Sequence, residues 1–88
     1  TMKVSTAHGD FIVNAISFKD RRKLHRLELN AINPDESINQ SGFMDMMDWV
    51  MDFAFKDPEK SLGKLNDNEV DEVLIAIYNS YKEVNKKK

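Results

Sequence analysis

The spacing of apolar positions changes along this chain, and each change marks an element. From Lys3 to Ile16 the strand formers Val4, Phe11, Ile12, Val13 and Ile16, with Thr6, flank His8-Gly9-Asp10. That pattern predicts a β-hairpin over residues 3–16 with its turn at those three residues, where Gly9 accommodates positive φ. Leu24, Leu27 and Ala31 then recur at helical spacing in a basic setting. They predict a helix from Phe18 to about Ala31, with Ser17 as N-cap, Asp20 as the acidic half of a capping box, and Asn33-Pro34 as the stop. Residues 34–42 are polar apart from Ile38 and read as a mobile loop. Ser41 is the expected cap of the next helix.

That next helix is the most unusual segment. Phe43 to Phe55 holds Met44, Met46, Met47 and Met51, four of the chain's five methionines, together with Phe53 and the single Trp49. Asp45, Asp48 and Asp52 interrupt it at spacings of three and four, which places them on one helical face. A helix apolar over the rest of its circumference must be covered on several sides. Methionine suits surfaces that repack around partners. Met44, Met47, Trp49, Met51, Phe53 and Phe55 are therefore the candidate partner-binding residues, with the 34–42 loop as their cover.

Asp57, Pro58 and Gly63 have the order of N-cap, first helical residue and stop, which predicts one short turn over Pro58 to Leu62. The last helix is capped by Asn66 or Asp67 with Glu69 closing an Asn-x-x-Glu box. Val70, Val73, Leu74, Ile77, Tyr78 and Tyr81 form its buried stripe, and Ile75 and Ala76 lie off it. The fold class is α+β: one small domain over 1–88, an N-terminal hairpin followed by a mainly helical bundle.

Charge adds a partition that the net value of −2 conceals. Residues 1–33 carry six Lys and Arg against three Asp and Glu, net +3. Residues 34–72 carry three against eleven, net −8, and residues 73–88 carry four against one, net +3. Solvated faces of different sign explain most of this; steering of a partner or head-to-tail self-contact is the sharper reading. The absence of cysteine removes disulfide and thiolate chemistry. The same absence fits a reducing cytoplasm, no stretch has the length of a membrane span, and no signal-peptide pattern precedes the fold. Thr1 stands before Met2, which reads as the natural start.

Enzyme chemistry finds little footing. His8 lies in a tight turn and His25 in a basic helix, with no nucleophile–base motif around either. Gly9, Gly42 and Gly63 are too scattered for a phosphate loop. The three aspartates of the Met-rich helix lack the central glycine turn and closing glutamate of a calcium loop. Ser41-Gly42 lacks the Asp-Ser-Leu of a phosphopantetheine carrier. Neither catalytic residue, metal nor cofactor is expected. The run from Lys19 to Arg26 makes a nucleic-acid-binding module one alternative, diluted by Asp20, Glu28 and an acidic whole.

The order of features resembles the tail assembly chaperones of long-tailed bacteriophages. The resemblance rests on a strand pair leading to Ile16-Ser17-Phe18-Lys19-Asp20-Arg21-Arg22-Lys23-Leu24, an apolar helix bearing Asp and Trp from Asp45 to Phe55, and Leu65-Asn66-Asp67-Asn68-Glu69-Val70 opening a helix that reaches Tyr78 and Tyr81. It spans most of the chain and has no diagnostic motif. It implies a non-enzymatic, self-associating protein of the host cytoplasm that coats the tape measure protein and brings tail tube subunits to it. In that family a ribosomal frameshift extends a short form, and the adenine-rich codons of Lys86-Lys87-Lys88 fit such a slip site. The alternative within protein binding is a small phage-encoded regulatory or inhibitory protein with one defined partner.

Overall fold

A computed structural model describes residues 1–83, which form an N-terminal antiparallel hairpin followed by four helices. The chain is a small α+β domain. Strand β1 (Met2–Thr6) pairs with β2 (Gly9–Val13) in the register Met2 to Val13, Val4 to Phe11 and Thr6 to Gly9. Alternation then puts Met2, Val4, Phe11 and Val13 on the face that meets the helices. Lys3, Ser5, Asp10 and Ile12 face away and are exposed. The turn falls on Ala7-His8, earlier than the expected His8-Gly9-Asp10. Gly9 pairs in β2 and still takes the positive φ of 118°. The Thr6 hydroxyl fixes this turn by donating to the Gly9 carbonyl (2.8 Å) and accepting from the His8 amide (3.0 Å).

Helix α1 (Phe18–Asn30) starts at Ser17, whose hydroxyl accepts from the Asp20 amide and donates to the Asp20 carboxylate. Its inward stripe is Leu24 and Leu27, continued by Ala31 just past its end. Helix α2 (Gln40–Ala54) begins earlier than expected, because Asn39 and not Ser41 caps it: the Asn39 side chain accepts from the Gly42 amide at 2.9 Å. Residues 40–42 are thus helical, and the expected loop is confined to residues 34–39, where backbone hydrogen bonds hold a turn. The Asn33 amide donates to Ser37, the Glu36 amide to Asn33 and the Asn39 amide to Ala31, and Ile32 and Ile38 form an antiparallel bridge.

Helix α3 (Pro58–Leu62) is the expected short turn behind its Asp57 cap. Helix α4 (Asp67–Glu83) opens on the reciprocal box: the Asn66 amide donates to Glu69 at 3.0 Å and the Glu69 amide to Asn66 at 2.9 Å. Val73, Leu74, Ile77 and Tyr81 close the core against Met46, Met47, Val50 and Ala54 of α2 and Val4 and Val13 of the hairpin. Lys86 to Lys88, on which the frameshift expectation rests, lie outside the described residues.

Asn14 joins three of these elements. It leaves β2 and donates twice to the open C-terminus of α2, from its amide to Ala54 (3.0 Å) and from its side chain to Phe53 (2.9 Å). Its carbonyl accepts from the buried Tyr81 hydroxyl at 2.6 Å. The last carbonyls of a helix have no partner of their own, and Asn14 supplies two.

Candidate protein-interaction surface

Helix α2 distributes five of the six candidate contact residues around its axis, and the sixth, Phe55, follows at its C-cap in extended conformation. Met47 is 1% exposed and Phe55 5%. Both belong to the core, Phe55 with its ring edge-on to Phe11 at 6.1 Å. The expectation that they meet a partner is corrected: in the folded chain they are occupied by β2 and α4. Phe53 is half-buried between Trp49, on which it stacks at 5.0 Å, and Tyr81, which it meets edge-on. Trp49 also borders a shallow groove between α1 and α2 with Lys23, Arg26 and Leu27. Met51 turns to the other side, into a groove shared with α3 and the start of α4. Met44 alone is fully on the surface, 52% exposed. Asp45, Asp48 and Asp52 are exposed along one face, as their spacing required.

Other apolar side chains stand outside the completed core, and they are the ones the spacing argument passed over. Phe18 and Leu29 are exposed at the two ends of α1, and Ile32 and Ile38 in the turn that follows. An antiparallel bridge directs paired side chains to one side. Ile32 and Ile38 therefore form an aliphatic knob instead of a cover. The only sequence signal was Ile38, isolated in a polar stretch, and it read as a loop residue.

The polar surroundings are ion pairs between elements. Glu28 of α1 accepts from the Tyr78 hydroxyl and from Lys82 (2.8 Å) on α4, with His25 at 3.4 Å. Burial works to raise the Glu28 pKa, but the hydrogen bonds from Lys82 and Tyr78 outweigh it and hold the carboxyl below its ordinary value. Burial and the Glu28 bond raise the Tyr78 hydroxyl. His8 reaches from the hairpin turn to Glu72 and Glu69 of α4. These contacts fasten elements together, and Glu28, His25 and Lys82 line a small cleft between α1 and α4 with Arg21, Leu24 and Tyr81. Among the described residues no group of three His, Asp or Glu side chains is placed to hold a metal ion, and no helix is long and apolar enough to cross a membrane. In comparisons with known proteins, no family model, curated protein or solved structure matches the chain.

Proposed function

We propose that this protein is a non-enzymatic assembly chaperone of the phage-tail type, which holds an aggregation-prone helical client, the tape measure protein, and tail tube subunits by weak apolar contacts. The observation that supports the reading is the apolar surface left after the core is complete: the Ile32–Ile38 knob, with Met44 in the first turns of α2. A monomer has no internal use for these side chains, and exposed apolar patches mark contact sites. The contact set differs from the sequence expectation. Met44, Trp49, Met51 and Phe53 retain accessible surface, Met47 and Phe55 drop out, and Ile32 and Ile38 join.

Co-expression tests it. A tape measure protein from the same source should be soluble with this chain and insoluble without it. The double variant Ile32→Ser/Ile38→Ser should keep the wild-type circular dichroism and lose most of the rescue. Equal client solubility with and without the chain would falsify the proposal. Raising salt should leave client binding largely intact, whereas a phosphate-binding module would lose its ligand steeply.

A further inference from the structure

The charge partition of the sequence becomes two separate surfaces in the fold. The outward side of α1 carries Phe18, Arg22, Arg26 and Leu29, with Arg21 and His25 beside them. Phe18 and Leu29 are 65% and 63% exposed, and the Arg22 guanidinium lies over the Phe18 ring at 6.0 Å. Eleven residues separate the two apolar ends, about 16 Å along a helix. The second surface is a groove of about 500 Å³ where α2, α3 and α4 meet. Met51, Leu65 and Val70 line it, and Asp52, Glu59 and Asp67 border it. None of these three carboxylates is ion-paired among the described residues. The two surfaces share no residue.

We infer that the occupant of the groove is a second copy of this chain, presenting the outward side of its α1. The carboxylates of the groove are opposite in charge to the arginines of the α1 side, each set beside apolar side chains, and the same molecule carries both. The α1 side lies opposite the Leu24–Leu27 stripe that packs inward, so it cannot reach its own groove. Two copies attract head to tail, basic side to acidic groove. Groove to groove, or α1 to α1, they place like charges together. The contact is heterologous, so a bound pair leaves one surface of each kind open and the assembly grows into a ring or filament. One helix side in one groove buries less than a standard interface, which makes each contact weak and dependent on concentration.

Light scattering across a concentration series reads this directly. The wild-type chain should grow in mass with concentration at low salt. At least a tenfold loss of association is expected between about 0.05 M and about 0.5 M NaCl, as screening shortens the reach of the exposed charges. Arg22→Glu/Arg26→Glu and Asp52→Lys/Asp67→Lys alter exposed residues and should each remain monomeric with wild-type circular dichroism. Mixed in equal amounts, they should associate again and grow, because the native α1 side of one meets the native groove of the other and the two reversed surfaces also attract. A closed two-fold contact instead stops at the dimer, for the wild-type chain and for the mixture alike. A wild-type chain that stays monomeric at all concentrations overturns the inference, as does a mixture that stays monomeric while both variants are folded. Growth that is insensitive to salt overturns it without recourse to any variant. A monomeric wild type that binds a duplex oligonucleotide through Arg22 and Arg26 overturns it in favour of a phosphate-binding side. Client rescue is tested on Ile32 and Ile38, so the two proposals fail independently.

Discussion

Gly42 and Tyr81 show how much a single position carries in so small a core. Gly42 lies where α2 crosses the end of α1, and a Cβ there would stand 2.3 Å from the Asn30 carbonyl oxygen and 2.9 Å from the Ala31 Cα. Both obstacles are backbone and cannot rotate aside. Helix propensity alone would have Gly42→Ala stabilise by about 1 kcal/mol. The crossing instead requires a loss of about 1–3 kcal/mol through overpacking, measurable as a lower urea midpoint. Burial pushes the Tyr81 hydroxyl up to about 12. An unfolded tyrosine titrates near 10. The folded pKa is the higher, so the contribution is complete below about pH 10 and is lost as pH rises toward about 12. Denaturation midpoints should fall over that window. Tyr81→Phe should cost about 1 kcal/mol at neutral pH, since it removes the bond to the Asn14 carbonyl, and should flatten the alkaline decline.

At the scale of elements, α2 separates what its composition merges. Met44→Asp should leave stability within about 0.5 kcal/mol of wild type, as surface changes do. Met47→Asp buries an unpaired charge and should unfold a domain whose total stability is only about 5 kcal/mol. Circular dichroism on the pair checks both. The two residues are three positions apart in a near-uniform apolar run, and nothing in the run itself ranks them. The reading succeeded where local chemistry decides. The Ser17 and Asn66 caps, the Asp57-Pro58 start and the 70–81 stripe all depend on neighbours within four residues. It failed where distant residues decide. Met47 and Phe55 are core because α4 and Phe11 reach them, and Asn14 caps a helix that ends 40 residues later. The expected loop ends at Asn39 and not Gly42, and its Asn33, Asp35, Ser37 and Asn39, read only as polarity, bond one another and hold the turn.

For the whole molecule, the core is shared by the hairpin, α2 and α4, and α1 joins it through one stripe, the Glu28 ion pairs and the Gly42 crossing. The surfaces proposed to meet other chains are then the outer side of α1 and the α2–α3–α4 groove, governed by charge, and the Ile32–Ile38 knob, governed by apolar area. The Asn14 junction has a consequence in time. The hairpin leaves the ribosome before the helices, yet the hydroxyl that donates to its Asn14 carbonyl is 67 positions away, and its apolar face packs on α4. Until α4 has emerged, the hairpin has only the end of α2 to pack on, and the cover of Val4 and Val13 is incomplete. A nascent chain is exposed to mispairing through just such uncovered strands. Completion of the domain is therefore a late, single event, set by the arrival of Tyr81 and not by the order in which the elements are made.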